Sequence, residues 1–99
     1  MTHMDIGSVI KDLRGKRGMN QKTFAEKCGL SANALCALEN NKSFPTKDTI
    51  EKICAALSIP VSYLLFCSIT DEDVPEERRE AFNILRKPLK AVLLPETIK

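Results

Sequence analysis

The stretch FAEKCGLSANAL, residues 24–35, decides how the chain folds. Most of its residues accept a helix, yet Gly29 stands in the middle and Ser31 follows two places on. Glycine takes the left-handed conformation that ends a helix without a Cβ clash. A serine hydroxyl caps the exposed N–H groups of a new helix. The segment therefore splits into two short helices, 21–28 and 32–40, that run in different directions, with Asn20 capping the first. Neither is long enough to persist alone, so both need a surrounding bundle.

The flanking sequence supplies one. Apolar residues recur at intervals of three and four, and nothing alternates as a strand would. Ile6, Val9, Ile10 and Leu13 form one stripe on a helix over 5–17, which Gly18 terminates. Phe24, Ala25 and Cys28 face inward from the second helix, and Leu35 and Leu38 from the third. After the loop NNKSFP, Thr46 caps a fourth helix whose buried face is Ile50, Ile53, Cys54 and Leu57. Pro60 suits the start of a fifth over 61–66. The acidic run TDEDVPEE then leads into a sixth helix, capped by Asp73, that reaches Lys87 before Pro88 ends or kinks it.

Composition sets the outer limits. The chain has 99 residues, 43% hydrophobic and 28% charged, with no tryptophan. That suits one small domain with an aliphatic core, for which oligomerisation is a common source of added stability. Net charge is only +2, but the first fifty residues hold eight Lys/Arg against five Asp/Glu. Lys11, Arg14, Lys16, Arg17, Lys22 and Lys27 cluster there, which points to an anionic partner, although a solvated lysine-rich surface has the same composition. Cys28, Cys36, Cys54 and Cys67 show no C-x-x-C spacing, and His3 lies far from them. No metal site or other cofactor is expected, and the thiols read as small hydrophobes in a reducing cytoplasm, Cys36 being the most exposed. No apolar run is long enough to span a membrane. There is no catalytic histidine, carboxylate pair or glycine-rich phosphate loop, so an enzyme is not expected.

Residues 6–66 resemble the five-helix DNA-binding domain of the Cro and lambda-repressor (XRE) family. The matching segments are IKDLRGKRGMNQKTFAEKCGLSANALCALENNK and, after Pro45, T..TIEKICAALSIPVSYLL. Ala25, Gly29, Leu35 and Leu38 fall where that family's helix pair needs a small residue, a turn glycine and two core aliphatics. The resemblance implies a helix-turn-helix domain over 5–69 and a C-terminal helical extension over 70–99. It implies a cytoplasmic transcriptional regulator, a repressor or controller protein, that binds double-stranded DNA as a homodimer. The helix over 31–40 would enter the major groove while the preceding one crosses the phosphate backbone.

Residue roles follow from that resemblance. Ser31, Ala32 and Asn33 fall at the base-reading start of the recognition helix, with Cys36 and Ala37 one turn on. Asparagine suits a bidentate bond to adenine, and alanine suits contact with a thymine methyl. Gln21 matches the family glutamine that fixes register on a phosphate, and Lys22, Asn40, Lys42 and Ser43 are placed as further backbone contacts. Arg14 and Glu39 match a structural salt bridge between the first and third helices; the competing reading has Arg14 on a phosphate.

Two features depart from the pattern. Asn41 stands where the family often has glycine, and SANALCAL offers few polar base readers. Val74 to Leu94 holds more apolar side chains than a tail needs: Phe82, Leu85, Leu89, Val92, Leu93 and Leu94. This segment is expected either to mediate dimerisation or to fold back on its own domain. The plain recognition helix and apolar tail also suit a different class, a protein-interaction module such as an antitoxin-like partner built on the same scaffold.

Overall fold

The computed structural model describes residues 5–93. It is all-α among those residues: α1 (Ile6–Lys16), α2 (Gln21–Cys28), α3 (Ala32–Glu39), α4 (Lys47–Leu57), α5 (Val61–Cys67) and α6 (Arg79–Leu93). Two single 3-10 turns, Asp71–Asp73 and Glu76–Arg78, precede α6. Ile6, Ile10, Phe24, Leu35, Ile53 and Leu64 are fully buried at the centre, where α1 packs on α3 and α5, and α2 on α3 and α4. No single helix among the described residues is long and apolar enough to cross a membrane.

One capping device recurs at the ends of α1 to α4. Gly18, Gly29, Asn41 and Ser58 all have positive φ. At each, the next residue's N–H bonds back over the last turn, as Leu30 does to the Ala25 carbonyl (2.8 Å) and Lys42 to that of Ala37 (2.9 Å). This closes the orphan carbonyls of the helix end. Asn20, Ser31 and Thr46 cap the starts of α2, α3 and α4 through their side-chain oxygens, so each short helix is bounded at both ends as the sequence indicates.

Asn41 does more than tolerate its conformation. Its Oδ1 accepts from the Gly7 N–H (2.9 Å) and its Nδ2 donates to Asp5 Oδ1 (2.7 Å). The end of α3 thus caps the start of α1. Gly7 makes the approach possible: a Cβ there would collide with the carbonyls of Leu38 and Glu39.

The sixth helix differs from the sequence expectation at both ends. Asp73 does not cap it; its carboxylate turns back to accept from the Thr70 N–H (2.8 Å) and hydroxyl (3.0 Å). The helix starts later, at Arg79, and runs through Pro88 to Leu93. Proline's fixed φ is compatible with a helix and forfeits one backbone bond. Packing offsets that loss on both sides of the break. Phe82 meets Phe66 with ring centroids 6.0 Å apart, Arg86 stacks on Phe82 and bonds Asp71 (3.1 Å), and Lys90 lies in a crevice with Asp12, Lys16 and Tyr63. Leu94 lies outside the described residues.

The Asn41 hydrogen bond, aided by bonds from Ser8 and opposed by partial burial, lowers the Asp5 pKa below its ordinary 3.8. A depressed folded-state pKa adds stability above the unfolded value that is lost as pH falls through the folded one. Asn41→Gly keeps the left-handed backbone and removes both bonds, so it should destabilise the fold at pH 7 by about 1–3 kcal/mol. That deficit should shrink in urea titrations taken from about pH 5 down to pH 2, without vanishing, because the Gly7 contact is still lost.

Candidate nucleic-acid interface

The geometry of the α2–α3 pair is held from behind. Glu39, on the last turn of α3, has a side chain only 1% exposed. Arg14 of α1 grips it with two bonds, Nε to Oε2 at 2.7 Å and Nη2 to Oε1 at 3.1 Å. The remaining guanidinium nitrogen, Nη1, donates to the Met19 carbonyl (2.9 Å) in the turn before α2. Gln21 Nε2 then donates to Glu39 Oε1 (3.0 Å). One carboxylate therefore ties α1, the start of α2 and the end of α3 together. The bonds to Glu39 raise the Arg14 pKa further above its ordinary value. The salt bridge read from sequence is present, and Arg14 is accordingly not part of the free basic surface.

The third member of this cluster, Gln21, was not legible as such. Its amide nitrogen is held by Glu39 at the start of α2. There Asn20 Oδ1 accepts from Thr23 (2.8 Å), while the first two backbone N–H groups of the helix have no intrahelical acceptor. Lys22 is exposed beside them.

The outer surface of α3 is as spare as its sequence. Ser31 spends an acceptor site on the Ala34 N–H (3.0 Å). Ala32, Asn33 and Ala34 are exposed, and Cys36 and Ala37 half-buried. Asn40 is exposed but its Nδ2 points to Cys36 Sγ at 3.3 Å. Asn33 is thus the one polar side chain on this surface with no partner among the hydrogen bonds of the described residues. Lys42 and Ser43 are exposed just beyond the helix. Two further features were missed. Phe44 is 63% exposed in the same loop, and with Ala34, Ala37 and Leu30 it lines a shallow groove of about 230 Å³ beside α3. The available signal was a lone aromatic in an otherwise polar loop.

The thiols differ from expectation in one respect: Cys36 and Cys67 are both half-buried, while Cys28 and Cys54 are buried. Burial pushes the Cys54 thiol up to about 11 and raises that of Cys28, so neither offers a thiolate at neutral pH. No cluster of three His, Cys, Asp or Glu occurs among the described residues.

With this geometry in view, the comparison with known proteins is direct. A helix-turn-helix family model matches residues 10–64, and the chain belongs to that family, in its Cro and lambda-repressor (XRE) branch. The chain is 31% identical over 80 residues to the immunity repressor protein of Bacillus phage phi105, covering 81% of this chain and 53% of that protein. It is 33% identical over 68 residues to the cryptic phage CTXphi transcriptional repressor RstR of Vibrio cholerae, covering 69% and 61%. A third relative, the HTH-type transcriptional regulator SutR of Escherichia coli, is 37% identical over 57 residues, covering 58% and 32%. The chain spans about half the length of the phage phi105 repressor it matches.

Arg14→Ala leaves the buried Glu39 carboxylate without its counter-charge. It should cost about 3–5 kcal/mol of stability in chemical denaturation and change sequence preference far less. A variant with unchanged melting temperature and lost DNA binding would instead assign Arg14 to the phosphate backbone.

Proposed function

We propose that the chain is a sequence-specific DNA-binding transcriptional regulator, a repressor or controller protein, acting as a homodimer. Residues 5–69 form a five-helix lambda-repressor-like domain, and 70–99 an extension that reinforces dimerisation. The observation that carries this reading is the Glu39-locked helix pair, which presents the start of α3 and the open end of α2 on one outer surface. Its resemblance to proteins named as repressors supports the same conclusion.

In this function α3, with its Ser31 cap, lies in the major groove. Asn33 reads an adenine edge, and Ala32 and Ala37 pack against thymine methyls, beside Ser31 and Cys36. Gln21 and the free N–H groups of α2 hold one phosphate, with Lys22 adding charge. Asn40, Lys42 and Ser43 hold another on the far side. With so few base readers, DNA shape and the doubled contacts of a dimer supply much of the selectivity.

A second reading has a specific observation behind it. The apolar outer face of α6 and the spare α3 surface also suit a protein-interaction module, antitoxin-like, that takes a protein partner through the extension.

Selection from random duplex pools at several salt concentrations separates the two. The regulator should enrich a palindrome with half-sites about 34–36 Å apart and bind it with a steep salt slope. On the enriched site, Asn33→Ala should lose about 1–3 kcal/mol of discrimination at one base pair. Lys42→Ala should weaken all sequences alike and lower the salt slope by about 1. Weak, uniform binding with no enriched sequence would favour the protein-partner function.

A further inference from the structure

Phe44 is the one exposed aromatic side chain among the described residues. Its place is nonetheless fixed. Pro45 beside it is buried, and the Lys42 N–H, bonded to the Ala37 carbonyl, closes the end of α3 two residues earlier. Scattered exposed apolar side chains are ordinary, but Phe44 is not isolated: it forms one wall of a groove.

That groove runs along the flank of α3. Leu30, Ala34, Ala37 and Leu38 recur there at helical spacing, and Phe44 with Pro45 makes the opposite wall. Ala37 lies one turn from Asn33, so the groove is continuous with the outward surface of α3. No charged side chain lines it. Two of its three hydroxyls bond each other: Thr46 Oγ1 donates to Thr49 Oγ1 (3.0 Å), and Thr46 Oγ1 accepts from the Thr49 N–H (3.2 Å).

These properties narrow the occupant. A phosphate oxygen needs cations or N–H donors, and a purine edge or cytosine amino group needs a hydrogen-bonding partner. The groove offers no cation and few polar atoms. The one apolar group that a DNA major groove presents is the 5-methyl of thymine. Lys42 and Lys47, both exposed, stand on either side of Phe44 along the chain. Cations there attract the phosphates of a strand whose bases face the groove.

We propose that Phe44 and the flank of α3 enclose the 5-methyl group of a thymine, which makes Phe44 a specificity-determining residue. This rests on the DNA-reading surface proposed above and deepens it. A methyl resting on Ala37 alone stays open to water on one side, and Phe44 supplies the missing wall. Ala37 lies about 6 Å beyond Asn33 along α3, and stacked base pairs are about 3.4 Å apart. The thymine is therefore expected about two base pairs from the pair that Asn33 reads.

The test uses the full chain and its selected duplex, with each thymine of one half-site replaced singly by deoxyuridine. That change removes the 5-methyl and keeps the base pair. Wild type should lose about fourfold in affinity at the expected position, the worth of one methyl taken out of water. Phe44→Ala should keep the wild-type helical spectrum and melting temperature, because the side chain is exposed, and should bind the thymine and deoxyuridine duplexes alike at that position. Phe44→Leu should keep part of the preference. A thymine preference unchanged by Phe44→Ala would overturn the proposal and leave the regulator reading standing. So would a Phe44→Ala variant that binds every duplex more weakly but keeps the full methyl effect, since Phe44 would then pack on the sugar–phosphate strand. A chain that selects no duplex at all would overturn both.

Discussion

The outer surface of the α2–α3 pair depends on one inward-facing carboxylate. Glu39 sits at the end of α3 with almost no solvent contact, yet it carries charge, and a buried charge persists only when paired and hydrogen-bonded. Arg14 supplies the charge and Gln21 the additional donor. Because those two residues belong to α1 and α2, satisfying Glu39 fixes three helices at once. The angle set by Gly29 and Ser31 is thereby made a single value rather than a range. Asn41 adds a second tie, from the end of α3 to the start of α1. The outer surface of the α2–α3 pair inherits its shape from these internal bonds.

That surface is rigid in position and sparing in chemistry. Alanines, one asparagine and a half-buried cysteine make up most of the exposed part of α3. In the proposed function, backbone N–H groups, Gln21 and the lysines around it are the contacts that orient rather than discriminate. Beyond that surface, α6 carries apolar side chains on two faces, one packed against α5 and one exposed. The apolar side chains of the extension therefore divide by role. Phe82 anchors α6 to α5 through Phe66, while Ile84, Leu85, Leu89 and Val92 remain on the outside.

Much of the fold was legible because local signals agreed with one another. Asn20, Ser31 and Thr46 cap helices where a cap residue precedes an apolar period, and Gly18 and Gly29 end helices where left-handed backbone is needed. Most core positions followed from spacing, but Val9, Leu13 and Ile50 are only half-buried, and Ile59 and Leu64, which no stripe marked, complete the core. Apart from the Arg14–Glu39 pair, which the family resemblance supplied, legibility failed where a contact joins residues distant in sequence. Gln21 gives no local sign that it bonds Glu39, nor Asn41 that it caps α1 across 34 residues. Pro88 argues for a helix end, and only the packing of Phe82, Arg86 and Lys90 explains why the helix continues. At the candidate site, the α2 and α3 residues were readable from the helix pair, whereas Phe44 depends on a loop path that periodicity does not describe.

The central claim concerns which surface meets DNA, and amide NMR of the full chain titrated with its selected duplex tests it most directly. The account predicts the largest shifts at Gln21 and Lys22, at Ser31 to Ala37 and at Asn40 to Ser43, with little change along the face of α6 that packs on α5. Shifts concentrated on α6, with the α2–α3 surface unmoved, would contradict it.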